Sequence, residues 1–153
     1  MIKHIKCDIF ESGADVICHQ VNCQGVMGSG IAKQVREKYP NVYKEYKDLC
    51  DLEFDPKNLL GIAQPVQANN KIIIVNIFAQ ENFGYDGKCY TDYDALREGF
   101  KTVYKSNKDD IIAIPYLMGC HRGGGSWDIV YKMIEEIFGD SDCEVLICEY
   151  NGG

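Results

Sequence analysis

The stretch Val21-Asn-Cys-Gln-Gly-Val-Met-Gly-Ser-Gly-Ile-Ala32 runs from an apolar strand through a glycine-rich turn into a helix. Glycine lets a backbone approach a ligand closely, and the first turn of a helix offers unpaired N–H groups at the positive end of its dipole. The stretch therefore predicts an anion-binding turn at the carboxyl end of a strand. It lacks both the Lys-Ser/Thr of a P-loop and G-x-G-x-x-G spacing, which disfavours kinase, GTPase and Rossmann dehydrogenase functions.

A second loop of the same design lies near the end of the chain. Residues 119–125 read Gly-Cys-His-Arg-Gly-Gly-Gly; they follow the apolar segment Ile111–Pro115 and precede Ser126, a favourable N-cap. Two such turns at the carboxyl ends of strands in one sheet predict a cradle for a diphosphate. Either loop alone is equally well explained as a tight turn.

Strand-like and helix-like segments alternate along the whole sequence. Strands are predicted over residues 2–6, 16–21, 59–66, 71–78, 111–115 and 144–150. Helices are predicted from Gly28 to Tyr39, where Pro40 ends the helix, over residues 42–52, after a capping box at residues 91–94, and after Ser126. Segment 71–78 is apolar on both faces and should be a central strand. We expect a single α/β domain over residues 1–153, with helices on both faces of a mixed sheet.

Composition and charge fit an ordinary globular protein. Hydrophobic residues make up 46% and charged residues 25% of the 153 residues. The longest apolar run, residues 71–79, is interrupted by Asn76 and is too short to cross a bilayer, so we expect no membrane segment. The first residues lack the pattern of a signal peptide, and a cytoplasmic location is expected. The net charge of −7 opposes broad attraction to nucleic-acid backbone, so an anionic ligand needs a local site.

The eight cysteines do not predict a disulfide framework or a metal site. Cys7, Cys18, Cys143 and Cys148 lie in or beside strand-like runs, where a reduced cysteine behaves as a small buried hydrophobe. No C-x-x-C pair occurs, and the three histidines show no ligand spacing. We therefore expect reduced thiols, no metal and no cofactor.

Taken in order, four stretches give this sequence a resemblance to the macrodomain family. They are residues 6–9, 21–32, 76–80 and 115–127. The chain looks most like the branch that contains the terminal ADP-ribose protein glycohydrolase and the yeast-type ADP-ribose-1″-phosphate phosphatase. The resemblance implies a three-layer α/β/α fold that binds ADP-ribose in a cleft at the carboxyl ends of the strands. The expected partners are ADP-ribose or ADP-ribosylated protein or nucleic acid, and we expect a monomer.

The resemblance also implies a set of binding residues. Asp8 matches the acidic residue that accepts a hydrogen bond from the adenine amino group, although an aspartate here could instead cap a local turn. Asn22 matches the asparagine at the distal ribose, although asparagine also tolerates a left-handed turn. Tyr150 could stack on adenine or pack at the rim. The full predicted binding set is Asp8, Ile9, Asn22, Gly28, Ser29, Gly30, Ile31, Gly119, Cys120, His121, Arg122, Gly123, Gly124, Gly125 and Tyr150.

The catalytic groups of the glycohydrolase are not matched. That enzyme uses a lysine after the central strand and an aspartate in the second loop, whereas this chain reads Phe78-Ala-Gln-Glu-Asn82 and Gly123 there. Without an amine nucleophile, covalent lysyl attack is not expected. His121 for proton transfer, Gln80 for positioning a water and Asn22 are the predicted catalytic residues.

Other sources of catalysis stay open. Asp86 and Asp92 could reach the cleft, and a nucleophilic Cys23 or Cys120 is a weaker alternative. His19, inside an apolar strand, fits a structural role better than a catalytic one. A substrate phosphate could itself activate the water while backbone donors stabilise the developing charge. The predicted function is hydrolysis of ADP-ribose adducts or derivatives, and the alternative is a non-catalytic ADP-ribose reader.

Overall fold

A computed structural model describes residues 1–84, 86–120 and 123–150. The strands are β1 (Ile2–Lys6), β2 (Val16–Asn22), β3 (Ala63–Gln67), β4 (Ile73–Gln80), β5 (Ile111–Pro115) and β6 (Glu144–Glu149). The helices are α1 (Gly30–Lys38), α2 (Pro40–Leu52), α3 (Tyr93–Ser106) and α4 (Trp127–Phe138). Within these described ranges, no helix has the length and apolarity that a bilayer crossing requires.

The strands form one mixed sheet in the order β1-β6-β5-β2-β4-β3. Every neighbouring pair is parallel except β3–β4, which is antiparallel. The carboxyl ends of β1, β6, β5, β2 and β4 therefore meet at one edge of the sheet, and both glycine-rich loops begin there. In open α/β sheets this is the edge where ligands bind.

Side chains alternate between the two faces of the interior strands, which explains why helices cover both faces of the sheet. On β2, Val16 and Cys18 face a core that includes Phe100 of α3 and Ile134 of α4. Ile17 and Val21 face the opposite core, which includes residues of α1 and α2. Because both faces of the sheet are covered, its central strands are apolar on both sides. The predicted three-layer α/β/α arrangement with a mixed sheet is confirmed.

The predicted elements differ from the structure mainly at their ends. Residues 59–62 are not strand, because Pro56–Leu59 forms a 3₁₀ turn and Gly61 has a φ of +93°. Pro40 ends the first helix as predicted but also begins α2, where its missing N–H costs no hydrogen bond. The N-cap of α3 is Asp92, whose side chain accepts from the Ala95 N–H at 3.0 Å, and not Thr91.

Candidate functional site

A cleft of about 490 Å³ opens at the carboxyl ends of β2, β4 and β5. It is lined by the following described residues: His19, Gln20, Val21, Asn22, Val26, Gly28, Ser29, Gly30, Ile31, Ala32, Gln80, Phe83, Gly84, Pro115, Tyr116, Leu117, Met118, Gly119 and Gly123. Both glycine-rich loops contribute to this one cavity. Its volume falls within the ordinary range for small-molecule sites.

The first loop is held in shape by Asn22 at the end of β2. Its amide nitrogen donates to the Val26 carbonyl at 2.8 Å, and its Oδ1 accepts from the Gln24 N–H at 3.0 Å. The Tyr46 hydroxyl of α2 also lies 2.7 Å from the Asn22 carbonyl oxygen and 2.8 Å from Oδ1. Burial raises the pKa of Tyr46, so this hydroxyl stays protonated and able to donate. Asn22 therefore lines the cleft and also fixes the turn that follows it.

The first turn of α1 presents main-chain donors to the cleft. Ser29 occupies the N-cap position but makes no side-chain hydrogen bond to the helix, and Gly30 has a φ of +59° that favours glycine. The N–H groups of a first helical turn have no partner within the helix and lie at the positive end of its dipole. Ser29, Gly30 and Ile31 all line the cleft, so this wall can receive an anion.

The second loop contributes Gly119 and Gly123 to the lining of the same cleft. Gly119 has a φ of +76°, and its carbonyl oxygen accepts from the Gly125 N–H at 2.9 Å. Gly124 and Gly125 do not line the cleft. A Cβ at Gly124 would collide with the Lys88 carbonyl, which means that this glycine is required for packing against the segment after β4.

Two glutamines join the central strands beneath the second loop. The Gln20 amide nitrogen donates to Gln80 Oε1 at 2.8 Å and to Thr91 Oγ1 at 2.9 Å. The Gln80 amide nitrogen donates to the Asn82 carbonyl at 2.9 Å, which fixes the orientation of that amide. Gln80 therefore has its oxygen and one N–H occupied by protein partners, and it has one N–H left for a ligand or water.

His19 is a buried neutral histidine in the lining of the cleft. It is 1% exposed, and its Nε2 lies 2.6 Å from Asn76 Oδ1. The Asn76 amide nitrogen donates to Gln64 Oε1 at 3.0 Å, so Asn76 Oδ1 is the acceptor and His19 Nε2 carries the proton. Burial lowers the pKa of His19 to about 4. The hydrogen bond and the lowered pKa favour the structural role over proton transfer near neutral pH.

The cleft has no ionised side chain among its described lining residues. Burial also raises the pKa of the Cys23 thiol to about 12 and that of Cys120 to about 11, so neither is a thiolate nucleophile near neutral pH. In the described part of the chain, no three His, Cys, Asp or Glu side chains are grouped as metal ligands. The described lining can therefore bind an anion through main-chain N–H groups and neutral amides.

The structure brings together only part of the predicted site. Asn22, Gly28, Ser29, Gly30, Ile31, Gln80, Gly119 and Gly123 line the cleft, whereas Asp8, Ile9, Cys120, Gly124, Gly125 and Tyr150 do not. Asp8 caps a 3₁₀ turn, because its Oδ1 accepts from the Phe10 N–H at 3.0 Å. Ile9 is buried in the core beside α1 and α2, and Tyr150 is exposed beyond β6. Their ligand roles stay predictions, and His121 and Arg122 lie outside the described residues.

Sequence reasoning missed the polar side chains that support the loops. Thr91 Oγ1 donates to the Gly119 carbonyl at 2.6 Å and accepts from Gln20, and Tyr46 donates to Asn22 at the start of the first loop. The one local signal was the presence of Gln20 and Asn22 in an otherwise apolar strand, where buried polar groups need partners. Nothing in the sequence indicated that Thr91 would be one of those partners.

The sequence is similar to proteins that are named as enzymes acting on ADP-ribose compounds. No protein-family model matches it. It is 41% identical over 68 residues to an ADP-ribose 1''-phosphate phosphatase of Debaryomyces hansenii, covering 40% of this chain and 38% of the relative. It is 23% identical over 154 residues to a DNA ADP-ribosyl glycohydrolase of Mycobacterium tuberculosis, covering 100% of this chain and 43% of that protein. The chain thus spans less than half of the length of these relatives.

Comparisons of structure cover nearly the whole fold. A protein of unknown function from Bacteroides thetaiotaomicron superposes with a TM-score of 0.84 at 26% identity, covering 97% of this chain and 98% of the other. The macrodomain of Mycobacterium tuberculosis DarG gives 0.79 at 21% identity, covering 100% and 99%. Thermosipho africanus DarTG in complex with ADP-ribose gives 0.78 at 22% identity, covering 97% and 41%. These matches confirm the predicted resemblance, and the chain has the macrodomain fold.

Proposed function

We propose that this protein binds ADP-ribose in the cleft and hydrolyses ADP-ribose derivatives. The observation that carries the proposal is that two glycine-rich loops, which follow the adjacent parallel strands β2 and β5, both line one cavity. Main-chain N–H groups at the start of α1 and in the second loop suit the negative charge of a diphosphate. The neutral amide of Asn22 suits a ribose, since one of its N–H groups is not used in the loop.

The preferred substrate class is ADP-ribose carrying a phosphate on its distal ribose. Three curated relatives that are 41%, 39% and 42% identical over 40%, 46% and 45% of this chain are named ADP-ribose 1''-phosphate phosphatases. A substrate phosphate can orient or deprotonate a water while main-chain donors stabilise the developing charge. This route fits a cleft whose described lining offers neither a lysine nor a carboxylate.

A second candidate is removal of ADP-ribose from DNA. The alignment with the DNA ADP-ribosyl glycohydrolase covers 100% of this chain and 43% of that protein. The fold superposes on the DarG macrodomain over 100% of this chain. The net charge of −7 weighs against broad contact with DNA, so recognition would depend on the ADP-ribose group itself. A reader that binds ADP-ribose without turnover is the third outcome.

Calorimetry and a substrate panel test these alternatives. ADP-ribose should bind more tightly than AMP, ATP or NAD, and a preference for ATP or NAD would contradict the proposal. The protein is then incubated with ADP-ribose 1''-phosphate, ADP-ribosylated single-stranded DNA and mono-ADP-ribosylated protein. Release of phosphate from the first supports the preferred activity, and release of ADP-ribose from DNA supports the second. No turnover with ADP-ribose still bound identifies a reader.

Gly28 offers a variant that closes the cleft without disturbing the fold. Its φ is not in the left-handed region, and an added Cβ would meet only Val26 Cγ1, at an ordinary 3.5 Å. Gly28→Glu should weaken ADP-ribose at least about tenfold, because it places a carboxylate where the diphosphate binds. Gly28→Ala is the matched control and should retain more of the affinity. Equal ADP-ribose affinity in Gly28→Glu and wild type would place the diphosphate elsewhere.

A further inference from the structure

Thr91 lies outside the lining of the cleft but contacts both lining glycines of the second loop. It is 7% exposed and follows β4 on the way to α3. Its Oγ1 donates to the Gly119 carbonyl at 2.6 Å and accepts from the Gln20 amide at 2.9 Å. Its N–H donates to the Gly123 carbonyl at 3.0 Å. One buried residue therefore ties β2 and both lining positions of the loop together.

The contacts of Thr91 set the direction of peptide groups in the second loop. A turn that binds an anion needs N–H groups facing the ligand and carbonyl groups facing away from it. The Gly123 carbonyl accepts from the N–H groups of Tyr90 at 2.6 Å and Thr91 at 3.0 Å. Since C=O and N–H point in opposite directions in a planar trans peptide, the Gly124 N–H points away from this segment. The Gly119 carbonyl accepts from the Thr91 hydroxyl and from the Gly125 N–H at 2.9 Å, so it joins the two ends of the loop, while the Cys120 N–H of the same peptide donates to the Leu117 carbonyl at 2.9 Å.

Close packing shows that the loop is fitted to Thr91. A Cβ at Gly123 would collide with Thr91 Oγ1. A Cβ at Gly119 would lie 3.2 Å from that oxygen and 2.7 Å from Gln20 Oε1. Glycine is required at both positions because the supporting side chains lie directly behind the loop. Glycine at positions 119 and 123 therefore has two explanations, the close packing against Thr91 and Gln20 and the close approach of a ligand to the backbone.

We propose that Thr91 is a positioning residue for ADP-ribose binding. Its N–H holds the Gly123 carbonyl, which leaves the Gly124 N–H of the same peptide directed toward the diphosphate, and its hydroxyl holds the Gly119 carbonyl that joins the two ends of the loop. The inference rests on the proposed function, because it assigns the diphosphate to this loop. The Thr91 hydroxyl itself does not touch the ligand.

Three variants separate positioning from general stability. Thr91→Val keeps the shape of the side chain and removes the hydroxyl, whereas Thr91→Ser restores the hydroxyl. Thr102→Val makes the same change at an exposed position of α3, where Oγ1 donates to the Glu98 carbonyl at 3.2 Å. ADP-ribose affinity is measured by calorimetry well below each melting temperature, and amide NMR shifts report on the loops. If Thr91→Val does not fold, Thr91→Ala takes its place.

Thr91→Val should weaken ADP-ribose about tenfold, while Thr91→Ser and Thr102→Val should stay within about threefold of wild type. The amide shifts that change in Thr91→Val should cluster in residues 119–125 and leave residues 28–32 unchanged. A folded Thr91→Val with wild-type affinity, or a Thr91→Ser that loses as much as Thr91→Val, overturns the inference. If wild-type protein does not bind ADP-ribose, the proposed function fails instead, and the NMR shifts still test how Thr91 holds the loop.

Discussion

Replacing the buried His19 should make the free energy of unfolding less dependent on pH between pH 7 and pH 5. His19 is 1% exposed, and burial lowers its pKa from 6.5 to about 4. In the native protein it therefore stays neutral in mild acid, whereas in the unfolded chain it takes up a proton near pH 6.5. Stability is fully present above the unfolded pKa and is lost as the pH falls toward the native pKa.

The size of the effect follows from the two pKa values of His19. A difference of one pKa unit corresponds to about 1.4 kcal/mol. Between pH 7 and pH 5 the unfolded chain gains most of a proton that the native state does not bind, so the free energy of unfolding should fall by about 2 kcal/mol. The limit, reached near pH 4 and below, is about 3 kcal/mol. At pH 5 most aspartates and glutamates are still ionised, which keeps their contribution small.

Urea unfolding at pH 7 and pH 5, followed by circular dichroism, measures this loss in wild type and in His19→Gln. The glutamine amide can still donate to Asn76 but does not titrate. The free energy of unfolding of His19→Gln should therefore fall between pH 7 and pH 5 by about 2 kcal/mol less than that of wild type. His4→Gln is the control, since His4 is a half-exposed side chain on β1. If wild type and His19→Gln lose the same stability between pH 7 and pH 5, His19 is protonated in the native state and the reasoning is refuted.

Two further substitutions test the support of the loops. Gly124→Ala should lower the free energy of unfolding by roughly 1–3 kcal/mol, because its φ is +69° and its Cβ would meet the Cys89 Cα at 3.0 Å. Gly13→Ala is the control, because Gly13 has a φ of +79° and a Cβ there would have no atom within 4 Å, so only backbone strain is added. Urea titrations measure the free energy of unfolding of both variants. An equal decrease in the two variants would exclude a packing role for Gly124. Tyr46→Phe should lower the free energy of unfolding by about 1–2 kcal/mol and weaken ADP-ribose binding a few-fold, because Asn22 loses the hydrogen bond from the Tyr46 hydroxyl. The control is Tyr104→Phe on α3, whose ring packs against Phe138 on the other face of the sheet. Equal ADP-ribose affinities of Tyr46→Phe and wild type in calorimetry would contradict this account.

The layered fold was predictable because its signals are local along the chain. The apolar segment at β4 needs cover on both faces, and each glycine-rich loop lies between a strand and a helix. Parallel strands then bring the two loops to one edge of the sheet. The start of β3 was not predictable in the same way, because Leu59, Leu60 and Ile62 are apolar like a strand although residues 59–62 lie in and after the 3₁₀ turn Pro56–Leu59.

The candidate site was predictable only where its residues belong to the loops. Thr91 lies 71 positions from Gln20 in sequence, and their hydrogen bond is a product of the fold. No pattern local to either residue indicates such a pair. Asp8 is a different case: its place at the adenine is implied by the resemblance and stays a prediction, while the structure shows that its carboxylate accepts a local capping hydrogen bond from the Phe10 N–H.

The polar side chains at this edge act mainly on the protein's own backbone. Asn22 and Tyr46 shape the first loop, and Gln20 and Thr91 hold the second. Because the described lining carries no ionised side chain, the capacity to bind an anion depends on how main-chain N–H groups are turned. The proposed binding of a diphosphate by a chain with a net charge of −7 therefore needs no cluster of cations in the described lining. It follows that isosteric changes behind the loops, which leave every lining residue in place, should weaken ligand affinity.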